Sequence, residues 1–384
     1  MSIPSNLPLR NDLAGEEPYG APQLDVPVCL NVNENPYAPS EAVIDTILER
    51  VRAVAPTLNR YPDREHAELR KALAAYLRKE SQVELEPEQI WAANGSNEIM
   101  LQVFQAFGGP GRTALGFAPT YSMYPEYARD TFTAWTTVPR NADFTLDVDA
   151  AVKAILETRP SIVLITSPNN PTGTPATMEQ IEALLAACEK AGVDGAPEGT
   201  HPLLVVDEAY IEFRRPGKPS ATTLIADHPN LAVSRTMSKA FAYAGARVGY
   251  IAANTGVIDS LRIVRMPYHL SAVTQAVALA ALDHTDEQLA QVGHLRDTRD
   301  ALVDWFRQQT YKGQPIQVAD TDSNFVFFGV FDDREWIFNE LLNRGVLIRD
   351  VGPEGWLRVC MGTDEEMEAF KSAFLEVIRL AEQR

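Results

Sequence analysis

Short apolar runs alternate with amphipathic helical segments between residues 88 and 253, and this pattern constrains the fold more than any other. The runs include TALGFA, SIVLIT, PLLVV and LAVSRT. Nearly continuous apolar runs are typical of strands that are buried on both faces of a sheet. Their alternation with helices is typical of βαβ units. We therefore predict an α/β fold whose large domain is doubly wound around a mostly parallel sheet.

A different pattern begins after Ile263. A long helical stretch with a turn near residues 283–286 precedes three strand-like runs, NFVFFGV, VLIRDV and WLRVCMG, which alternate with helices. We interpret this region as a smaller α+β domain with an antiparallel sheet. The predicted boundaries are 1–40 for an extended N-terminal arm that also completes part of the small domain, 41–265 for the large domain, and 266–384 for the small domain with its linking helix.

Charge and composition exclude several classes of protein. The net charge is −18, and a protein that binds the phosphate backbone of nucleic acids needs a basic face. No apolar run approaches the length of a membrane span, and the first residues lack the pattern of a secretory signal. The three cysteines are too scattered for a disulfide framework or a zinc site. We expect a cytoplasmic protein without a metal.

Lys239 lies between two short apolar runs, in the stretch SRTMSKAFAYAGARVG. Burial of a lysine lowers the pKa of its ammonium, and a neutral amine can attack a carbonyl to form an imine. Thr236, Ser238 and Arg247 offer donors that suit a phosphate dianion. Together these residues predict a lysine linked to pyridoxal phosphate, although this stretch alone is also compatible with a surface lysine beside a polar turn.

Polar residues follow two other predicted strands, where ligands bind in open parallel sheets. Asp207 ends the run HPLLVVD and would pair with the pyridine nitrogen, keeping it protonated as an electron sink. Asn170 and Tyr210 would donate to the ring phenolate oxygen and lower the imine pKa. After the substrate has displaced it, Lys239 would act as the general base of a 1,3-proton shift, which is transamination.

The turn NGSN feeds a helix whose first residues are Ser96 and Asn97. Free amides and the positive end of the helix dipole make such a turn an anion site, and we assign both residues to the phosphate. Among Tyr121, Tyr124 and Tyr127, core packing accounts for two. We expect the third, Tyr121, to stack on the cofactor ring.

The segments SPNNPTG, VVDEAY and RTMSKAF, with Arg247 eight residues after the lysine, resemble the fold-type I aminotransferases in order and spacing. Further segments resemble, within that family, the histidinol-phosphate aminotransferases over nearly the full length of the chain: EEPYGAPQLDVPV, LNVNENPYAPS, RYPD, MPYHLS, LIRDV and LRVCMGT.

The resemblance implies a homodimer with each active site at the subunit interface. Tyr61 would reach the cofactor phosphate of the other subunit, and Tyr268 would cross in the same way to the substrate. The implied substrate-binding residues are Tyr19, Asn33, Tyr268, Arg349 and Arg358. Judged without the resemblance, Tyr19 is better explained as an anchoring aromatic, and either arginine could form a surface ion pair.

The implied reaction converts histidinol phosphate and 2-oxoglutarate into imidazole-acetol phosphate and glutamate, in histidine biosynthesis. Two arginines suit a site that must accept a phosphomonoester and a dicarboxylate in turn. The main alternative is an aromatic amino acid aminotransferase. A cofactor-sensing regulator is a weaker alternative, because a DNA-binding segment is missing, and a decarboxylase acting on a phosphorylated substrate would share the cofactor residues.

Overall fold

The computed structural model describes residues 7–384, so the first six residues of the predicted arm lie outside the described part. The helices are α1 Glu41–Val54, α2 Ala67–Ser81, α3 Ser96–Phe107, α4 Tyr124–Asp130, α5 Val148–Thr158, α6 Met178–Lys190, α7 Thr255–Val264, α8 Ala272–Asp283, α9 Thr285–Phe306, α10 Arg334–Asn343 and α11 Asp364–Ala381. The strands are β1 Val28–Cys29, β2 Ile90–Ala93, β3 Thr113–Ala118, β4 Ala134–Pro139, β5 Ile162–Thr166, β6 Leu203–Asp207, β7 Leu231–Thr236, β8 Gly249–Ala253, β9 Thr310–Tyr311, β10 Gln314–Pro315, β11 Gln317–Val318, β12 Phe325–Gly329, β13 Val346–Leu347, β14 Arg349–Asp350 and β15 Leu357–Cys360.

A seven-stranded sheet in the order β2-β8-β7-β6-β5-β3-β4 forms the centre of the larger part. Strands β7, β6, β5, β3 and β4 are parallel to one another, whereas β8 runs antiparallel to both of its neighbours. The predicted mostly parallel sheet is confirmed. Its strands bring their carboxyl ends to one edge, where open α/β sheets bind ligands.

Both faces of this sheet are buried, which explains why its strands are nearly continuous apolar runs. Along β5, Ile162 and Leu164 belong to one hydrophobic cluster, and Val163 and Ile165 belong to another. This alternation follows from the period of two in a strand. Helices α3, α4 and α7 pack on the first face, and α2, α5 and α6 pack on the second. The sheet is therefore doubly wound, as predicted.

A second sheet of four strands, in the order β11-β12-β15-β14, is antiparallel throughout. The sequence predicted a single strand for VLIRDV, and this prediction is wrong. The run forms two short strands, because β13 pairs with β1 near the N-terminus whereas β14 pairs with β15. The pairing of β1 with β13 attaches the N-terminal segment to the C-terminal part of the chain.

Between residue 7 and β1, the N-terminal arm contains little regular structure apart from a 3-10 turn at Asn11–Leu13. The Arg10 guanidinium donates to the carbonyl of Arg129 at 3.2 Å and lies 4.3 Å from the centre of the Phe132 ring. The arm therefore packs against the end of α4. Among residues 7–384, no helix has the length and apolar character that crossing a membrane requires.

A buried ion network holds the ends of β6 and β7 together behind the site. Arg235, on β7, is fully buried and donates to Glu208 at 2.9 Å and to Glu80 of α2 at 2.8 Å. Buried charges need such paired partners, because their desolvation is costly. Since Glu208 follows Asp207 and Arg235 precedes Thr236, the network fixes the backbone on which both candidate site residues stand.

Candidate active site

A cavity of about 260 Å³ lies at the carboxyl ends of β5, β6 and β7. It is lined by fourteen of the sixteen predicted site residues: Tyr19, Asn33, Ser96, Asn97, Tyr121, Asn170, Asp207, Tyr210, Thr236, Ser238, Lys239, Arg247, Arg349 and Arg358. These residues come from both ends and the middle of the chain, so only the fold brings them together.

Lys239 follows β7 in the wall of this cavity and is partly buried. Its Nζ donates to the backbone carbonyl of Val32 at 2.9 Å. Burial lowers the pKa of Lys239 to about 8. The neutral amine, which is the form that attacks a carbonyl, is therefore more populated near neutral pH than it is for an exposed lysine.

Asp207 is the last residue of β6, and only 5% of it is exposed. Its Oδ2 accepts from the Tyr124 hydroxyl at 2.7 Å, and its Oδ1 accepts from the backbone N–H of Ala209 at 3.2 Å. Burial raises the pKa of Asp207 to about 6, although these two hydrogen bonds oppose the rise. A buried carboxylate of this kind suits a cationic partner, such as a protonated ring nitrogen.

Tyr124 is a site residue that the sequence analysis missed, because it was counted among the core tyrosines. Its ring is fully buried, as expected, but its hydroxyl contacts both Asp207 and the Thr166 hydroxyl, each at 2.7 Å. A buried tyrosine usually finds a partner for its hydroxyl. In the sequence, the only indication that Tyr124 belongs to the site was its position three residues after Tyr121.

The start of α3 forms an anion cradle with the segment after β7. The helix begins at Ser96, after Gly95 at φ +83°, and the amides of its first turn have no acceptor within the helix. A Cβ on Gly95 would lie 2.6 Å from an Arg247 nitrogen, so glycine permits the close approach of the guanidinium. Arg247 in turn lies 3.5 Å from the Ser238 hydroxyl, which accepts from Thr236 at 2.9 Å. These donors fit the phosphate of the predicted cofactor.

Tyr210 receives two hydrogen bonds on its hydroxyl oxygen. Asn33 Nδ2 donates at 2.9 Å and Asn170 Nδ2 donates at 3.4 Å. Arg358 fixes the second amide, because its Nη1 donates to Asn170 Oδ1 at 2.6 Å. Burial raises the pKa of Tyr210 to about 12, so the phenol keeps its proton and can donate it into the cavity.

Three consecutive residues, 31–33, connect the lysine, the tyrosine and one arginine. Arg358 donates to the Asn31 carbonyl at 2.8 Å, Lys239 donates to the Val32 carbonyl, and Asn33 donates to Tyr210. The sequence did not predict the contacts of residues 31 and 32, because they are made by backbone carbonyls, which every residue type carries.

Arg349 and Arg358 stand directly opposite each other on β14 and β15. Like charges in this arrangement repel, unless an anion lies between or beside them. Arg358 is buried, and its Nε has no hydrogen-bond partner among residues 7–384. Tyr19 is half-exposed at the cavity rim, and its ring lies edge-on to that of Tyr121 at 6.5 Å. This end of the cavity can therefore receive an anionic group beneath an aromatic rim.

Tyr61 and Tyr268 are not brought to the cavity of their own chain. Their rings stack on each other at 4.4 Å between centres, and 80% of Tyr61 and 40% of Tyr268 are exposed. No group of three or more histidine, cysteine, aspartate or glutamate residues within 7–384 could hold a metal ion.

Comparisons with known proteins agree with this geometry. The chain matches the family model described as aminotransferase class I and II over residues 26–374. It is 72% identical over 382 residues to the histidinol-phosphate aminotransferase of Bifidobacterium longum (strain NCC 2705), covering 99% of each chain. It is 55% identical to that of Thermobifida fusca (strain YX), covering 96% of this chain and 95% of the relative.

Among solved structures, the histidinol-phosphate aminotransferase of Sinorhizobium meliloti, in complex with pyridoxal-5'-phosphate, superposes with a TM-score of 0.78. The match covers 92% of each chain at 24% identity, and it confirms the predicted fold. The similarity extends over nearly the full length of both curated relatives, and the family model spans most of the chain. The chain therefore belongs to the aminotransferases of class I and II and, within them, to the histidinol-phosphate aminotransferase family.

Proposed function

We propose that the chain transfers the amino group of L-histidinol phosphate to 2-oxoglutarate, forming imidazole-acetol phosphate and glutamate in histidine biosynthesis. The observation that carries this proposal is the 72% identity to a histidinol-phosphate aminotransferase over 99% of both chains. At this level of identity the substrate-facing residues are usually retained along with the fold. The cavity, with its lysine, its buried carboxylate and its arginine pair, supports the same reaction.

Pyridoxal phosphate, when bound, supplies an aldehyde that accepts the amino group and a protonated ring that withdraws electrons from the substrate Cα. We assign its phosphate to Ser96, Asn97, Thr236, Ser238 and Arg247, and one ring face to Tyr121. Asp207 would hold a proton on the ring nitrogen, because a buried carboxylate gains most from a cationic neighbour. Tyr124 would keep that carboxylate in place through its 2.7 Å hydrogen bond.

Lys239 would bind the cofactor and then move protons. Once the substrate has taken its place, the freed amine would lie in the cavity wall, where burial lowers the pKa of Lys239. This amine would take the Cα proton of the substrate and hold it for transfer, because a lowered pKa lets it gain and lose protons near neutral pH. Tyr210 and Asn170 would donate to the ring oxygen, and the Tyr210 proton is free because its oxygen already accepts from two amides.

Arg349 and Arg358 would bind the anionic part of either substrate. A guanidinium pairs bidentately with a phosphate or a carboxylate, so the same two groups serve both half-reactions. Tyr19 at the rim completes the proposed substrate end. An aromatic amino acid aminotransferase would need only one arginine for the α-carboxylate, and this would not explain why Arg349 and Arg358 lie opposite each other.

A panel of amino donors tests the substrate. With 2-oxoglutarate as acceptor, we expect kcat/KM for histidinol phosphate to exceed the values for phenylalanine, tyrosine and histidine by at least about 100-fold, since only the phosphate ester engages both arginines. In Arg349→Met the advantage should shrink, because histidinol phosphate loses a charge-assisted contact. A wild-type preference for phenylalanine or tyrosine would contradict the proposed substrate.

We also propose that the enzyme is a homodimer in the cytoplasm, with Tyr61 and Tyr268 reaching across to the partner's site. The exposure of both rings supports this, because a stacked pair of partly exposed tyrosines suits a subunit interface. The three cysteines Cys29, Cys188 and Cys360 are all free, which suits a reducing compartment.

Mixed dimers test the crossing of Tyr268. Lys239→Ala and Tyr268→Ala should each be poorly active alone. When the two variants are unfolded together and refolded, one site in each hybrid combines an intact lysine with an intact tyrosine, so about a quarter of wild-type activity should return. If each Tyr268 served its own chain, every site in the hybrid would lack either the lysine or the tyrosine, and mixing would restore no activity. Size-exclusion chromatography with light scattering gives the mass of the assembly.

A further inference from the structure

Every polar group of Asn33 is occupied by the protein itself. Asn33 is almost fully buried, and Asn324 Nδ2 donates to its carbonyl at 3.1 Å. Its backbone N–H donates to the Cys360 sulfur at 3.0 Å, and the Cys360 thiol donates to Asn33 Oδ1 at 2.8 Å. Its Nδ2 donates to the Tyr210 hydroxyl. The side chain of Asn33 is thus fixed between a thiol and a phenol.

The thiol determines which way the amide faces. The sulfur already accepts the backbone N–H of Asn33, so its own hydrogen is available for an acceptor, and Oδ1 is that acceptor. With the amide reversed, two N–H groups would converge on the sulfur and the S–H would have no acceptor. The reversed amide would also turn Oδ1 toward Tyr210, where it would accept the phenolic proton.

The orientation of the amide therefore decides where the Tyr210 proton points. In the observed arrangement the phenol oxygen accepts from Asn33 and Asn170, and its proton has no acceptor among residues 7–384. That proton is free for a ligand in the cavity. In the reversed arrangement it would be held by Asn33, and a ligand oxygen would lose its donor.

We propose that Cys360 is a positioning residue which, through Asn33, directs the Tyr210 hydroxyl proton toward the ring oxygen of the cofactor. The proposal rests on the proposed function and refines it. It changes the role of Asn33, which the sequence analysis assigned to substrate binding. A buried cysteine is ordinarily a small apolar filler, but here its sulfur both accepts and donates a hydrogen bond.

Charged and titratable groups surround this chain of contacts from every neighbouring element. Asp207 ends β6, Lys239 follows β7, Arg358 lies on β15 beside Cys360, and Glu34 follows Asn33. Burial raises the pKa of the Cys360 thiol, so it keeps the hydrogen that the proposal requires.

The test is a pH titration of the visible absorbance of the holoenzyme, which reports the pKa of the cofactor joined to Lys239. In Cys360→Ala the thiol no longer fixes the Asn33 amide, and we expect the ring oxygen to lose its hydrogen bond from Tyr210. The ring oxygen would then keep more negative charge, so the proton on the neighbouring Lys239 nitrogen would be held more tightly. The titration midpoint should rise by about one pH unit, the effect expected from losing one hydrogen bond to a charged oxygen.

Four further variants separate positioning from packing. Cys360→Ser keeps a donor and should titrate as the wild type does, while Asn33→Asp cannot donate to Tyr210 and should shift upward even if Cys360→Ala does not fold. The midpoint of the double variant Cys360→Ala/Asn33→Asp should shift no further than that of either single variant, because both substitutions act through one chain of contacts. Cys188→Ala removes another buried thiol, on α6 and away from the cavity lining, and should not move the midpoint.

An unshifted midpoint in Cys360→Ala, or equal shifts in Cys360→Ala and Cys360→Ser, would overturn the proposal. A wild-type protein that shows no visible absorbance with pyridoxal phosphate would instead remove the proposed function, and this inference with it.

Discussion

Replacing Lys239 with alanine is expected to lower kcat by at least about 10⁴-fold, the largest loss for any single side chain of this enzyme. The same amine is proposed to bind the cofactor covalently and to transfer the proton, so the variant would lack the group that performs both steps. The Ser96, Ser238 and Arg247 cradle does not involve the lysine, so the variant should still retain the cofactor through its phosphate. Stopped-flow absorbance with histidinol phosphate, and dialysis followed by quantification of the bound cofactor, measure the two effects.

Lys190→Ala is the matched control, because Lys190 is exposed at the end of α6 and its loss should leave turnover unchanged. In the wild type, borohydride reduction should remove the visible band and leave a cofactor-sized mass increase on the peptide that contains Lys239. A label on another lysine, or turnover in Lys239→Ala within tenfold of the wild type, would disprove the assignment.

Replacing Asp207 with asparagine should lower kcat by about 10³-fold while KM changes little. An amide cannot hold a proton on the ring nitrogen, so the ring loses its electron-withdrawing charge, whereas the contacts at the substrate end are intact. Tyr124→Phe removes only one hydrogen bond from the same carboxylate, so its loss of kcat should be much smaller. Full activity in Asp207→Asn would refute the assigned role.

The pH dependence of cofactor binding gives a second measurement on Asp207. Because burial raises its pKa to about 6, the carboxyl of the cofactor-free protein takes up a proton as the pH falls below 6. The neutral acid cannot pair with a cationic ring, so wild-type affinity for pyridoxal phosphate should fall over that range. Asp207→Asn carries no such group and should lack this step in affinity.

The strands of the large sheet could be predicted because burial on both faces leaves a pattern within each run. The polar residue that ends such a run, Asp207 for example, then had to lie at the carboxyl edge. Ser96 and Asn97 were predictable for a related reason, since a glycine turn before a helix exposes amides whatever the rest of the chain does. These inferences depend on local sequence and on one rule about sheets.

Contacts between distant segments could not be predicted in this way. The Val32 carbonyl meets Lys239 across 207 positions, and Tyr124 meets Asp207 across 83, without any periodic pattern that would pair them. The division of VLIRDV into two strands depends on β1, which is a two-residue strand. Tyr61 and Tyr268 lie away from the cavity of their own chain, and the proposal that they serve a partner's site depends on a second subunit, which a single chain does not contain.

Residues 30–33 also have a mechanical consequence. The backbone of Leu30 is hydrogen-bonded to Leu347 of β13 and to Cys360 of β15, so this segment is attached to the four-stranded sheet and its neighbour β13. Lys239 follows β7 of the seven-stranded sheet, and the Val32 carbonyl accepts from its amine. Arg358 donates to the Asn31 carbonyl in the same segment, so the anion-binding arginine and the lysine amine are attached to adjacent peptide groups. We therefore expect a displacement of Arg358 on anion binding to alter the contact between Lys239 and the Val32 carbonyl.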